Sequence, residues 1–202
     1  HDVRGGCQGG HHLHLEQFLG RFFRQSTPRE RRLGRSRLDT EIGGAAHYDD
    51  LVRYLKAYST SEQKVYLSAA TQCPFPDVHL QPAIDTGLLD YPWVQFYNNY
   101  CQYSPSNVDT FVQVWNQWVS VNVSKVFLGL PASPEAAGSG YVSPDVLVNK
   151  VLPLVNGSEK YGGIMLWNRY FDLTNNYSAR VKDYVCPDRR LYSIASTLVP
   201  SS

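Results

Sequence analysis

The sequence predicts an α/β fold built on a parallel β-sheet, and three observations support this prediction. Short segments rich in apolar and β-branched residues recur roughly every 28 to 38 residues from position 64 onward. They are nearly continuous in apolar residues rather than alternating, as strands buried on both faces of a parallel sheet are. Helical patterns separate them, which is the rhythm of repeated βα units. The length of 202 residues suits a single domain.

The predicted strands follow one another along the chain. A first short strand is predicted to end at residues 38–41, with the sequence LDTE, directly before a loop that contains two glycines. The next four are residues 64–70, 93–98, 125–130 and 163–167, with the sequences KVYLSAA, WVQFYN, KVFLGL and GIMLW. Each is short and bounded by turn-forming or helical sequence, as β-strands are.

Helical patterns lie between these strands. Residues 49–58 begin with two carboxylates and place their large apolar side chains on one stripe. Residues 108–119 space aromatic and aliphatic side chains at helical intervals. Residues 143–155 begin with Ser143 at the N-cap position and Pro144 after it, which is a strong helix start.

Charge and cysteine spacing exclude several classes of function. The chain carries 19 Lys and Arg against 18 Asp and Glu, for a net charge of +1, which argues against nucleic-acid binding. None of its four cysteines has the CxxC spacing of a zinc or redox site, so we predict no metal and no cofactor. Three sequons, each weak alone, favour a secreted protein together with the cysteine pattern; they are at Asn122, Asn156 and Asn176.

The first 38 residues differ from the rest of the chain. They contain eight Arg, no Lys and four of the six His, and their apolar residues follow no period. On composition alone, a solvated disordered segment is favoured over a patch that binds nucleic acid or membrane.

Polar and aromatic residues follow the predicted strands, where parallel α/β folds bind their ligands. These residues are Thr71, Gln72, Tyr97, Asn98, Pro131, Trp167 and Asn168. Asp39 and Glu41 are spaced i, i+2 at the end of the first strand, so both point into one cavity. Paired acids suit proton transfer because each charge raises the pKa of the other. The pattern is common, and a solvated loop remains an alternative to catalysis.

The surrounding sequence gives this pair a context. The stretches HYDDLVRYLKAYS, KVYLSAATQCPFPD, WVQFYNNYCQYS, KVFLGLPASPEAAGSGYVSPDVL and KYGGIMLWNRYFD occur in the order and with the spacing of one family. Over residues 38–185 the chain closely resembles the C-terminal part of the plant class III chitinases, the hevamine-like branch of glycoside hydrolase family 18. The resemblance implies a (β/α)8 TIM barrel, of which this chain covers about strands four to eight.

The resemblance also implies roles for individual residues. Glu41 aligns with the general acid of the family motif DxxDxDxE, and Asp39 with the acid that orients the substrate N-acetyl group. Tyr97 aligns with a tyrosine that hydrogen-bonds the acetamide carbonyl, and Gln95 lies beside it. Trp167 resembles the tryptophan that forms the floor of the −1 sugar site. We include Asn98, next to Tyr97, among the substrate-binding residues.

Without the resemblance, packing roles would be favoured for three of these residues: Tyr97 at the mouth of the barrel, Trp167 in the core, and Gln95 in an inward layer. The resemblance further implies a non-proline cis peptide between Trp167 and Asn168. It also implies a disulfide between Cys73 and Cys101. Cys7 and Cys186 have no assigned counterpart.

The sequence departs from the family before the paired acids. The first two motif acids fall on Gly34 and Arg37. A guanidinium beside Asp39 would lower carboxylate pKa values, which is the wrong direction for a general acid. Residues 20–35 can also be back-translated so that a neighbouring frame resembles the family, and we therefore interpret residues 1–37 as a frame-shifted barrel segment. Residues 38–185 form the glycoside hydrolase part, and residues 186–202 a C-terminal tail.

Two functions follow as expectations. The first is a monomeric secreted or vacuolar endochitinase, with or without lysozyme activity, that cleaves β-1,4-linked N-acetylglucosamine without a cofactor. The second is a non-catalytic lectin or an inhibitor of xylanase or amylase, since this branch contains such proteins. The protein would bind chitin or chito-oligosaccharides as a chitinase, and a glycosidase as an inhibitor. A storage protein is the weakest alternative. The same barrel serves both functions, so fold alone cannot decide between them.

Overall fold

The described part of the chain forms a five-stranded parallel sheet with its strands in sequential order. The computed structural model describes residues 35–41 and 43–185. The strands are β1 Arg35–Asp39, β2 Tyr66–Ala70, β3 Tyr91–Gln95, β4 Val126–Pro131 and β5 Tyr161–Trp167. Each strand pairs in parallel with the next one along the chain, which confirms the predicted α/β class.

Helices connect the strands. They are α1 Tyr48–Lys56, α2 Gln81–Asp85, α3 Val108–Ser120, α4 Pro144–Val146, α5 Leu152–Val155, α6 Arg169–Asn175 and α7 Tyr177–Val181. The predicted helix at 143–155 is present but divided, because a π-helical segment, Leu147–Val151, separates α4 from α5. Pro153 has no N–H to donate to the turn before it, and a shifted hydrogen-bond register accommodates this loss. Ser143 caps α4 as predicted, by accepting from the Val146 N–H.

The core lies between the sheet and the helices. Leu67, Val94 and Leu128 of three adjacent strands are fully buried against it. On the helix side, α3 contributes Trp115 and Trp118, whose rings are also buried. Most positions in β2 and all in β4 are buried, which explains why the strand sequences read as apolar runs.

The other face of the sheet carries alternate residues of the same strands. Tyr66 stacks on Tyr91 with ring centroids 6.0 Å apart, and Phe127 contacts both Tyr91 and Trp93. The Arg37 guanidinium lies 5.4 Å from the Trp93 ring centroid. This aromatic layer supports the residues that follow it at the carboxyl ends of the strands.

A partly buried ion pair stabilises the opposite end of the sheet. The Lys56 ammonium of α1 donates to Asp90 at 2.7 Å, and the Leu67 N–H donates to the same carboxylate at 2.8 Å. Asp90 therefore ties α1, β2 and the start of β3 together at the edge remote from the strand carboxyl ends.

Several predictions fall outside the described residues. These concern Gly34, Cys7, Cys186, most of the segment 1–37 and the tail 186–202. Strand β1 begins at Arg35, three residues before the predicted start of the glycoside hydrolase part. Within the described ranges, the helices are too short or too polar to cross a membrane.

Candidate active site

The carboxyl ends of the strands bring the predicted site residues to one edge of the sheet. In the register of the sheet, Asp39 lies beside Ala70, Gln95 beside Gly129 and Trp167 beside Pro131. Because side chains alternate between the faces of a strand, Asp39, Gln95 and Trp167 share the face that carries the aromatic layer. The prediction that Asp39 and Glu41 sit at a strand end is confirmed for Asp39, while Glu41 lies two residues beyond β1.

Glu41 contacts the predicted site directly. The Gln95 side-chain amide donates from Nε2 to Glu41 Oε1 at 3.2 Å. Gln95 itself is only 4% exposed, and its backbone N–H donates to the Thr71 carbonyl at 2.8 Å. The contact spans β2, since Glu41 follows β1 and Gln95 ends β3. Glu41 is otherwise exposed, so its carboxyl group can reach a ligand bound above the sheet.

Asp39 is paired with a cation of its own strand. The Arg37 guanidinium donates from Nη2 to Asp39 Oδ2 at 2.5 Å. The Arg37 side chain is 13% exposed and the Asp39 side chain 41% exposed. Arg37 thus reaches from beneath the site, where it packs on Trp93, toward a carboxylate that faces solvent.

Tyr97 follows β3, at the same end of the sheet as Asp39. Its residue is 6% exposed, and this burial raises the pKa of its phenol well above the usual range. The negative charges of Glu41 and Asp39 raise the Tyr97 pKa further, whereas the Arg37 guanidinium lowers it. The phenol therefore stays protonated at physiological pH and is available as a hydrogen-bond donor. Glu41, Asp39 and Arg37 all influence the pKa of this phenol.

Asn98 has a role that sequence reasoning did not foresee. Its backbone is left-handed, with φ 57°, and its side-chain oxygen accepts from the Ser139 N–H at 3.0 Å. The Asn98 N–H in turn donates to the Ser139 carbonyl at 3.3 Å. Asn98 thereby joins the loop after β3 to the loop after β4. Its role in substrate binding stays a prediction.

The loops after β2 and β3 are also joined. The predicted disulfide between Cys73 and Cys101 is present, with Cα atoms 6.0 Å apart. The Asn99 amide donates to Gln72 Oε1 at 2.8 Å, and the Trp118 indole of α3 donates to the Cys73 carbonyl at 2.9 Å. These contacts restrict the segment that carries Tyr97.

Trp167 ends β5 and is half-buried. Its carbonyl accepts from the Ala132 N–H at 2.6 Å, which pairs the ends of β4 and β5. The expected cis peptide between Trp167 and Asn168 is present. The Asn168 side chain then caps α6 by accepting from the Tyr170 N–H at 3.0 Å. Trp167 lies two strands from Gln95, on the other side of β4.

Three further residues at this edge were missed in the sequence. Asn99 fixes Gln72, as described above, and Gly140 packs against the backbone of Tyr97. Ser133 hydrogen-bonds Glu135 in the loop after β4, which lowers the pKa of the Glu135 carboxyl. The glycine was the one signal available, since the sequence GSG marks a turn but not its neighbour.

The chemistry that these groups allow is proton transfer and hydrogen bonding to a polar ligand. Across residues 35–41 and 43–185, the structure groups no three His, Cys, Asp or Glu side chains as a metal site would need. A carboxyl group held by an amide, beside a second carboxylate and a protonated phenol, can donate a proton and bind an amide-bearing ligand.

Curated relatives align with most of this chain, and about half of the aligned residues are identical. An acidic endochitinase of Nicotiana tabacum is 54% identical over 145 residues, which are 71% of this chain and 49% of that protein. An acidic endochitinase of Cicer arietinum is 48% identical over 195 residues, which are 90% of this chain and 66% of that protein. The chain therefore spans about half to two thirds of the length of these relatives. No family model matches the chain.

Solved structures with a similar fold include enzymes and inhibitors. ICChI chitinase from Ipomoea carnea is 42% identical with a TM-score of 0.69, over 74% of this chain and 55% of that one. A xylanase and α-amylase inhibitor protein, XAIP-II, from Scadoxus multiflorus is 40% identical with a TM-score of 0.68, over 72% of this chain and 54% of that one. Proteins with a similar fold are thus named either as chitinases or as inhibitors of other glycosidases.

Proposed function

We propose that this chain, which is related to the plant class III chitinases, hydrolyses β-1,4 linkages between N-acetylglucosamine residues. The observation that carries the proposal is the contact between Glu41 and Gln95. Asp39 ends β1 and Tyr97 follows β3 at the same end of the sheet. Relatives named endochitinase, at about half identity over most of the described region, support the same reaction. The substrates are chitin and chito-oligosaccharides.

Glu41 is the general acid in this proposal. Its carboxyl proton passes to the glycosidic oxygen as the bond from that oxygen to the anomeric carbon breaks. The Gln95 amide holds one oxygen of the Glu41 carboxyl, so the other can face the leaving group. Glu41 is exposed at the carboxyl end of the sheet, so a long polymer can reach it.

The nucleophile belongs to the substrate. The N-acetyl carbonyl oxygen bonds to the anomeric carbon and forms an oxazolinium ion, which is the substrate-assisted form of retaining hydrolysis. Asp39 accepts a hydrogen bond from the N-acetyl N–H and balances the positive charge. The protonated Tyr97 phenol donates to the carbonyl oxygen. Water then opens the ring and gives a proton to the Glu41 carboxylate, which restores the acid.

The proposal extends to the whole protein. We propose that the five strands are the last five of an eight-stranded barrel in which Trp167 forms the floor of a sugar subsite and Asn98 lines its edge. Relatives longer than this chain support this extension. We further propose a secreted or vacuolar monomer, because the disulfide suits an oxidising compartment.

Replacing Glu41 with Gln tests the proposal. Glu41→Gln should abolish hydrolysis of tetra-N-acetylchitotetraose, because a side-chain amide is too weak an acid to protonate the glycosidic oxygen. Binding of the tetramer should persist. Reducing-end release measures the first and isothermal titration calorimetry the second. The matched control is Glu62→Gln at an exposed position before β2, which should cleave at the parent rate. Continued cleavage by Glu41→Gln would place the acid elsewhere.

A second function is favoured by one observation, the ion pair that engages Asp39. A site with an engaged Asp39 would bind oligosaccharide without cleaving it, or would block another glycosidase. Similar structures include one named as a chitinase-like lectin and others named as xylanase and α-amylase inhibitors. Inhibition assays with a xylanase and an α-amylase test this function. Inhibition without chito-oligosaccharide cleavage would favour it over hydrolysis.

A further inference from the structure

We propose that Arg37 is a positioning residue that holds Asp39 in an ion pair, and that this pair restrains hydrolysis while oligosaccharide binding continues. The proposal rests on the function proposed above and adds to it a residue that sets the rate. It also predicts how the site can be made faster.

The first step is the contact between the two side chains. Arg37 Nη2 donates a charge-assisted hydrogen bond to Asp39 Oδ2. Residues i and i+2 of a strand lie on the same face, so the backbone of β1 brings the two groups together. The pair therefore depends on the strand and needs no rearrangement of a loop.

The second step is the fixed position of the cation. The Arg37 side chain is 13% exposed, and its guanidinium lies 5.4 Å from the centroid of the Trp93 ring on β3. Cation–π contact of this kind stabilises a guanidinium where it lies. The Asp39 side chain is 41% exposed, so a ligand can reach the carboxylate more readily than the guanidinium that holds it.

The third step is the reach of this charge into the site. The Arg37 guanidinium acts on the Tyr97 phenol in the direction opposite to Glu41 and Asp39. Arg37 therefore offsets the negative charge around the phenol that the proposed oxazolinium ion needs. A bound substrate must also draw the Asp39 carboxylate away from the guanidinium before its N–H can donate to it.

The ion pair between Arg37 and Asp39 affects turnover more than it affects substrate binding. Contacts with sugar hydroxyls and with the Tyr97 phenol do not require Asp39, so the ground-state complex forms in the presence of the ion pair. Charge develops only in the transition state, and an interaction missing there lowers kcat rather than raising KM. The ion pair thus predicts a protein that binds chito-oligosaccharide well and cleaves it slowly.

The test replaces Arg37 in the full chain. Arg37→Gln removes the charge and keeps an elongated side chain over Trp93, and kcat for tetra-N-acetylchitotetraose should rise by about ten- to hundredfold with little change in KM. Arg37→Lys keeps the charge and should stay near the parent rate. Arg53→Gln, on the exposed face of α1, is the matched control and should change neither parameter.

Folding is followed in parallel by circular dichroism. If Arg37→Gln unfolds at the assay temperature, Arg37→Met provides a second neutral side chain of similar length for the same measurement. A kcat of either folded neutral variant equal to that of the parent would overturn the proposal while leaving the proposed hydrolase intact. Loss of both cleavage and tetramer binding in parent and variants would instead overturn the proposed function.

The identity of residue 37 is checked on the same protein. Trypsin cleaves after Arg or Lys, so a peptide that begins at Leu38 and ends at Arg53 is expected only when residue 37 is basic. Observation of this peptide by mass spectrometry supports the proposal. A peptide that continues through position 37 would overturn it and would support the frame-shift interpretation of the first segment.

Discussion

Tyr97 is held in the site by close packing of its own backbone. Gly140 has φ +89° and lies against it, so that a Cβ at position 140 would come within 2.7 Å of the Tyr97 Cα. The Asn98–Ser139 hydrogen bonds hold the same two loops together from the neighbouring positions. The glycine is therefore required both by its conformation and by the space that it leaves for the phenol.

Substitution of Gly140 tests this packing. Gly140→Ala should destabilise the protein by about 1 to 3 kcal/mol, because an L residue is strained at this φ and clashes with Tyr97. It should also reduce chito-oligosaccharide cleavage through displacement of the phenol. Gly157→Ala is the control, since nothing lies within 4 Å of its Cβ position. Urea denaturation measures both variants, and equal stability of the two would contradict the account.

The sequence names candidate site residues one by one, but it does not show which of them contact each other. The spacing of Asp39 and Glu41 and the resemblance identified candidates without geometry. The contact between Gln95 and Glu41 joins residues 54 positions apart, and it depends on the register of three strands. The pairing of Arg37 with Asp39 was closer to prediction, since both lie on one strand face.

At the scale of elements, two buried tyrosines connect the last described segments to the rest of the fold. The Tyr161 hydroxyl at the start of β5 donates to the Val185 carbonyl at 3.0 Å. The Tyr177 hydroxyl of α7 donates to the Val142 carbonyl at 2.7 Å, ahead of α4. Burial raises the pKa of both phenols above their ordinary value of 10.0.

These tyrosines predict a loss of stability at alkaline pH. The unfolded chain gives up phenol protons as the pH rises through 10.0, whereas the folded chain keeps them, so stability is complete below pH 10 and falls above it. Each such phenol contributes a slope of about 1.4 kcal/mol per pH unit. Tyr161→Phe should make this slope shallower, as urea denaturation between pH 9 and about 11 can measure.

The control for this prediction is Tyr184→Phe, whose ring is exposed. It should keep the parent slope. Tyr161→Phe should also lose about 1 kcal/mol at neutral pH with its hydrogen bond to Val185. A parent slope unchanged by Tyr161→Phe would show that burial of this phenol does not govern the alkaline transition.

Strands were easier to predict than helices for a physical reason. Strands buried on both faces require apolar residues at nearly every position, and this leaves a clear signal in the sequence. The short helices α2, α6 and α7 were missed, because five to seven residues are too few to show a helical period. The division of the helix at 143–155 depends on Pro153, whose effect on register the apolar pattern does not reveal.

At the scale of the whole molecule, the described sheet resembles part of larger solved structures. The sequential strand order and the helices between strands agree with the fold of the similar chitinase structure, of which this chain covers 55%. The parallel sheet could be predicted from the sequence alone. The eight-stranded barrel follows only from the resemblance, and it remains a proposal. The charge of +1 and the exposed Glu41 fit a neutral polysaccharide better than a charged partner.

The most direct measurement is calorimetric titration of the Glu41→Gln variant with tetra-N-acetylchitotetraose. We expect saturable binding at one site. The affinity should fall about tenfold or more when Trp167→Ala removes the proposed aromatic floor. Tyr54→Ala, at an exposed ring of α1, should bind like the parent variant. Absence of binding heat, or equal affinity with and without the Trp167 indole, would contradict a sugar site at the carboxyl end of this sheet.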